Sequence, residues 1–536
     1  MEALALAAGT EALHAVREAA QRTGPTMDHQ APALILLPLL VGAFVVAAFG
    51  YWKRTTAYPL TLLTLVTFLG TAVYGLREVL ANGALHYRMA GWEPPIGIEL
   101  NLDALSAFVM AMIAVIALLV AVYAGAALRR EKPDHEPTFL GMMLIMLLGL
   151  SGMVVTADLF NLYVWFEVSS LSGYALMAVG HRKAPVSAFR YLLLGTMGAS
   201  FYLLGVGYLY VLTGSLNMFD VAARIVPLHD NPALWLSLVA MVAGLGLKMA
   251  IFPMHLWLPD AYTYASSTST AIIAPLMTKV SAYVLIRILY FVYGHEWALA
   301  GGGGLGPVIT TLAVLGIVVG SIMAIAQKDA KRMLAYSSIA QVGYIAVGIG
   351  LANPLALVGA MLHILNHAVM KCCLFLVTGS VQLQAGTVSL KDYTGLGRRM
   401  PWTFAGFTLA ALAMVGVPPT NGFFSKWYLV LGGIDAGQWV VVVAVLASSL
   451  LTAVYFFRTL ERIYARPDTD DVGATAAAPA TASSVGAARV VTDPSWSMRL
   501  PVLVLPVGAL VLGLLNSWLV TNVLRVALPT DLPWPL

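Results

Sequence analysis

The chain has 536 residues, of which 60% are hydrophobic and only 10% charged. Soluble globular proteins carry about 25% charged residues, so a soluble enzyme is excluded, and a formal charge of +4 gives no basis for nucleic-acid binding. Apolar runs of the ~20 residues needed to cross a bilayer recur along the chain; they are continuously apolar rather than alternating, which predicts helices and not a β-barrel.

Residues 1–30 form an Ala- and Glu-rich N-terminal extension that lacks the basic start and apolar centre of a signal peptide. Met27 offers an alternative start directly before the first span. Fourteen spans are expected, near 32–50, 57–78, 102–127, 137–156, 158–180, 187–213, 233–262, 268–293, 307–327, 331–351, 355–384, 402–431, 437–464 and 500–525. The fold class is thus an all-α polytopic membrane protein. Residues 467–496, rich in Ala, Thr, Ser and Gly, predict a flexible linker before the last span, which lies in 497–536.

Basic residues cluster in alternate connections: Lys53/Arg54, Arg129/Arg130/Lys132, Arg182/Lys183, Lys328/Lys331/Arg332, Lys391/Arg398/Arg399 and Arg458/Arg462/Arg466. The positive-inside rule places these loops in the cytoplasm and both termini outside. The connection at 265–267 belongs by parity with the basic set, yet carries no Lys or Arg.

Two spans are interrupted alike. The seventh has Gly244, Gly246 and Pro253 around Lys248; the twelfth has Gly416, Pro418, Pro419 and Gly422 before Lys426. Proline removes a backbone donor and clashes with the preceding turn, so both helices are expected to break. Paired interruptions in two halves of a transporter point to inverted repeats and to the ion pathway. The expected organisation is three leading helices in 31–136, one five-helix repeat in 137–293 and a second in 307–464.

Glu167, Lys248, Lys279, His363, His367, Lys371 and Lys426 all fall within apolar stretches. An ionisable group at the bilayer centre costs at least about 2.5–3.5 kcal/mol, so a chain that repeats this cost is expected to use it. Lys248 has no acidic neighbour in sequence, and a pair with Glu167 would compensate both charges. If Glu167 moves away or gains a proton, a desolvated lysine can give up its own. Ser266, Ser267, Thr268, Ser269 and Thr270 precede Lys279 and either hold water at the mouth of a path or only satisfy the helix start. His363, His367 and Lys371 recur every fourth residue on one helix face, a column suited to proton relay. His255 would share a face with Lys248 if the helix continued through Pro253. Asp158, Asp260, Lys328, Lys331 and Arg332 lie at span ends and read as interfacial. The only cysteines, Cys372 and Cys373, are adjacent and read as packing residues, with neither disulfide nor metal spacing.

The stretches DLFNLYVWFEV, GLGLKMAIFPMHLWLPDAY, LAYSSIAQVGY, MLHILNHAVMKCCLFLVTG and GVPPTNGFFSKW together resemble the antiporter-like subunits shared by Mrp cation/proton antiporters and respiratory complex I, nearest to the D-type Mrp subunit. The resemblance implies fourteen spans, two inverted five-helix repeats and an axis of buried charges. By it, Glu167 and Lys248 would be the input pair, Lys279 the bridging lysine, His363 and His367 the central relay and Lys426 the exit lysine, with His255 and Lys371 auxiliary. It also implies Na+/H+ antiport in a prokaryotic cell membrane beside Mrp subunits A, B, C, E, F and G, with no bound cofactor and no covalent chemistry. Two alternatives stay open at this point: a pump subunit of complex I or a membrane-bound hydrogenase, and a scaffold whose charges only lock helices together.

Overall fold

In the computed structural model, residues 30–131, 133–181, 183–300, 304–465, 491–532 and 534 are described. Most of the N-terminal extension and of the 467–496 linker lie outside the described residues. With no water in a bilayer core, each span must satisfy its backbone internally, so the apolar runs become helices. The leading part holds α1 (Ala31–Trp52), α2 (Ala57–Asn82) and α3 (Ala104–Glu131). The first repeat holds α4 (Glu136–Val155), α5 (Leu159–Ala178), α6 (Ala184–Thr213), the short α7 (Met218–Ile225), α8 (Pro232–Met249), α9 (Leu258–Tyr264) and α10 (Ser267–Ile286). The second holds α11 (Gly306–Ile325), α12 (Ala330–Gly350), α13 (Pro354–Ala385), α14 (Pro401–Val415), α15 (Asn421–Asp435) and α16 (Trp439–Tyr464), and α17 (Trp496–Leu514) follows.

Twelve described helices are long and apolar enough to cross a membrane. The twenty-residue α5, made more polar by Asn161, Glu167 and three serines, and the α14–α15 pair supply the remaining two of the fourteen expected crossings. The seventh span is interrupted, as expected, between Met249 and Leu258, and the twelfth between Val415 and Asn421. The fourteenth span, interrupted only at Leu515, continues through Asn516–Leu519 and Val520–Leu524, close to its expected end. One element is new: β1 (Leu85–Arg88) pairs antiparallel with β2 (Glu99–Leu102), Leu85 opposite Leu102.

The two repeats share a small signature. Asp158 caps α5 by accepting from Asn161 N, and Asp329 caps α12 by accepting from Arg332 N. Around each aspartate, two backbone bonds tie the helix start to a later crossover: Leu159 N to Leu216 O and Met218 N to Ala157 O, against Ala330 N to Val388 O and Leu390 N to Lys328 O. Five spans separate the two knots, so they lie on opposite membrane faces. The remaining loop contacts obey the same parity, since Asp493 reaches Thr403 on one face and His295 reaches Asp531 on the other.

The core sits where the repeats meet. Every residue of α10 is buried, as is most of α12 and α13, while α1 and α2 keep broad exposed faces. The connection at 265–267 receives its basic residues from elsewhere: Lys331 Nζ donates to Ala265 O at 2.9 Å, and Arg190 and Arg332 each stand 3.4 Å from Asp260. Lys331 is therefore buried, not interfacial as its place at a span end suggested, because the first repeat closes over it.

Candidate functional site: a buried line of charge

α8 ends because Ala250 turns left-handed (φ 64°), and Lys248 stands in the last turn, where a helix end favours a cation. The Leu247 carbonyl accepts from Ala250 N at 3.1 Å and from Trp257 Nε1 at 3.0 Å. Lys248 Nζ donates to Ser170 Oγ at 2.6 Å and to Tyr174 OH at 2.7 Å, with the Phe166 ring 4.4 Å away. Gly195 makes room for this cluster, since a Cβ there would lie 1.9 Å from the Tyr174 hydroxyl and 3.1 Å from Lys248 Nζ.

Glu167 does not touch the lysine. It stands one turn before Ser170 and two before Tyr174 on α5, half-buried, and its Oε1 has no hydrogen-bond partner among the described residues. The two charges still act on each other through space. The pairing expected from sequence is thus longer-range than contact, because serine and tyrosine take the positions next to the ammonium. Glu167 shares its stripe with the exposed Phe160, Val164 and Leu171, which places it toward the edge of this chain.

Lys279 is fully buried in α10 and donates to Ala274 O at 2.7 Å and Thr278 Oγ1 at 3.1 Å. Its charge is felt at His363, His367 and Lys371 on α13. All three are buried on one face, as their spacing requires, yet they diverge in partners. His363 places Nδ1 2.9 Å from Ser425 Oγ and Nε2 2.9 Å from Gln341 Oε1. Neither ring nitrogen of His367 has a hydrogen-bond partner among the described residues. Lys371 donates to Leu334 O at 2.6 Å and to Ser337 Oγ.

Lys426 follows the second break. Pro418 and Pro419 cannot donate to the end of α14, and the Met414 and Val415 carbonyls instead accept from Lys426 Nζ at 2.9 and 3.0 Å, with Ser449 Oγ at 3.1 Å. Lys426 acts electrostatically on His363 and lies 5.2 Å from the Tyr344 ring centre. His255 falls in the turn after α8, stacked on Phe252 at 5.2 Å, so the shared face with Lys248 does not form.

The structure therefore brings Lys279, the α13 column and Lys426 together, and Lys248 with Glu167 into a neighbouring cluster. Such groups can pass a proton, each changing the cost of charging the next. Sequence reasoning missed the hydroxyl partners Ser170, Tyr174 and Ser425, and the ion pair of Arg287 with Asp103, whose two contacts measure 2.6 and 2.8 Å. Arg287 stands in the apolar run AYVLIRILYFV, and that charge was the available signal.

The model of the NADH:quinone oxidoreductase/Mrp antiporter transmembrane family matches residues 156–452. NADH-quinone oxidoreductase subunit N of Desulforudis audaxviator is 48% identical over 93% of this chain and 99% of its own length. The D-type subunit of the Na+/H+ antiporter of Alkalihalophilus pseudofirmus is 30% identical over 78% and 83%. Among solved structures, a chain of the archaeal membrane-bound sulfane sulfur reductase superposes with a TM-score of 0.83 at 29% identity, covering 93% of this chain and 97% of its own. A chain of the Mrp complex from Dietzia sp. shares the fold, with a TM-score of 0.82 at 24% identity over 94% and 97%. The chain is a multi-pass membrane subunit and belongs to the NADH:quinone oxidoreductase/Mrp antiporter transmembrane family.

Proposed function

We propose that this chain is the proton-translocating subunit of a multi-subunit Na+/H+ antiporter in a prokaryotic cell membrane. The observation that carries the reading is the series of ionisable groups running from the half-buried Glu167 through the buried Lys248, Lys279 and α13 histidines to Lys426. In this reading protons move electrostatically from group to group, with water between them, and the chain needs no cofactor. Mrp subunits A, B, C, E, F and G are the proposed partners, and the basic loops face the cytoplasm, leaving both termini outside.

A second reading keeps the same relay but drives it by redox chemistry in a complex I-like or hydrogenase assembly. The 48% identity to a protein named NADH-quinone oxidoreductase subunit N favours it. One experiment separates the readings. The whole complex is placed in vesicles and proton flux is measured under a Na+ gradient, then under quinone reduction, for the wild type and for Lys248→Ala. Na+-driven flux lost in the variant, with assembly intact on a native gel, supports the antiporter. Flux driven only by redox chemistry supports the second reading. Normal flux in the variant removes Lys248 from the path.

A further inference from the structure

Lys248 and Lys279 stand in separate clusters of the line of charge. The two ammonium groups share no hydrogen-bond partner. A line of four aromatic rings in mutual contact, three of them phenols, runs from the Lys248 site to Tyr262. Tyr174 OH accepts from Lys248 at 2.7 Å, and the Tyr174 ring meets Tyr191 edge-on at 4.6 Å. Tyr191 stacks on Trp257 at 3.8 Å, and Trp257 meets Tyr262 edge-on at 6.2 Å. The Tyr262 hydroxyl is turned toward Thr278 without closing a hydrogen bond of good geometry, and Thr278 Oγ1 accepts from Lys279 at 3.1 Å.

Tyr191 and Tyr262 are both buried, and neither hydroxyl has a hydrogen-bond partner among the described residues. Buried tyrosine hydroxyls are ordinarily bonded, and an unmet one is costly. Phenylalanine would keep every ring contact and avoid that cost. The two rings lie against the same Trp257, and each unmet hydroxyl offers a buried water a polar partner. Trp257 cannot join such a chain, because its indole N–H only donates and is already given to Leu247 O.

We propose that Tyr174, Tyr191, Tyr262 and Thr278 form a hydroxyl relay, bridged by water at the two unmet phenols, that carries protons between Lys248 and Lys279. This rests on the proton-translocation reading above and specifies its route. In one passage an N–H bond of charged Lys248 breaks and an O–H bond forms at Tyr174. Tyr174 releases its original proton to the next oxygen, and each hydroxyl and water in turn gains one proton and gives one up. The last proton forms an N–H bond on the lone pair of neutral Lys279. Lys248 ends neutral, Lys279 ends charged, and no hydroxyl carries net charge before or after. Rotation of the O–H groups resets the chain.

The test is proton flux in vesicles carrying the whole complex, with Tyr191→Phe and Tyr262→Phe beside Lys248→Ala and Lys279→Ala. Each phenylalanine variant is expected to lose tenfold or more of the flux while native-gel mobility stays normal. Wild-type flux in both phenylalanine variants, with flux lost in both lysine variants, overturns the relay and leaves the proposed function standing. Flux retained in the lysine variants as well would overturn the proposed function itself. If a phenylalanine variant fails to assemble, fluorotyrosine placed at Tyr191 keeps the shape and makes the phenol more acidic. A shifted pH profile of flux then supports the relay, and an unchanged profile overturns it.

Discussion

In the first half of the molecule Lys248 closes the last turn of a helix before its break, and two hydroxyls hold it. In the second half Lys426 comes after the break, and two carbonyls freed by Pro418 and Pro419 hold it together with one hydroxyl. The difference bears on proton transfer. A carbonyl only accepts, so Lys426 must donate to keep those bonds. A hydroxyl can accept or donate, so Lys248 can keep its two contacts in either protonation state. A neutral amine still has two N–H donors, so both lysines can give up a proton, but only at Lys248 can every partner reverse its hydrogen bond.

The largest expected effect breaks this contrast directly. Hydrogen bonds to charged groups contribute about 1.5–3 kcal/mol each. Removing both hydroxyls, in Ser170→Ala with Tyr174→Phe, is expected to cut flux by about 100-fold, at roughly tenfold per 1.4 kcal/mol. Ser449→Ala leaves Lys426 its two carbonyls and is expected to cost no more than a few-fold. Equal losses in vesicle flux would show that the two lysines are held in equivalent ways.

Next in size are two glycines. At Gly195 an added methyl meets a side chain, the Tyr174 hydroxyl, at 1.9 Å. At Gly422 it meets a backbone atom, Ala413 O, at 1.9 Å, and would wedge α15 from α14. Overpacking costs typically about 1–3 kcal/mol, and a side chain yields more readily than backbone. Gly195→Ala is expected to assemble normally with reduced flux, whereas Gly422→Ala is expected to lower the yield of assembled complex. The reverse pattern on a native gel would sink the distinction.

A smaller contrast concerns how the broken helices start. α8 carries its own cap, Asn231 accepting from Ala233 N. α14 has none, and Asp493, from the segment before the last span, accepts from Trp402 N, Thr403 N and Thr403 Oγ1. Losing a cap costs about 1 kcal/mol. Asp493→Ala and Asn231→Ala are expected to lower thermal stability by similar amounts. Only Asp493→Ala should also speed amide exchange across residues 491–495, since it releases their contact with α14; equal exchange rates would refute this.

Spans and breaks were legible in the sequence because they follow from run length and from Gly and Pro, both local properties. The partners of the buried charges were not, because Ser170 and Tyr174 meet Lys248 across more than two spans of chain. Lys331 was misplaced for the same reason: its burial is made by the Ala265 connection of the other repeat. The column on α13 was legible as a face, but its division into a bonded His363 and an unpartnered His367 depends on Ser425 and Gln341 from other helices. The β1–β2 hairpin was hidden because four residues are too few for an alternating pattern to stand out.

That hairpin yields the smallest and most local prediction. It has no counterpart in the second half, where the equivalent knot at Asp329 stands without a strand pair among the described residues. Glu99 on β2 binds His86 Nδ1 at 2.9 Å and accepts from Asn217 Nδ2 at 2.7 Å, fastening the hairpin to the crossover beside Asp158. Burial alone would raise the Glu99 carboxyl, but His86, Asn217 and the charge of Arg88 together hold it below its ordinary value. A lowered carboxylate stabilises the fold above its unfolded value of about 4.3 and loses that contribution as pH falls through the lower folded value. Amide exchange across residues 85–102 is therefore expected to speed up as pH falls below about 4.3, after correction for the intrinsic pH dependence of exchange. Glu99→Gln should exchange faster at neutral pH and lose that dependence, while the Asp329 knot keeps its own. An unchanged pH response in the variant would mean that Glu99 does not fasten the hairpin.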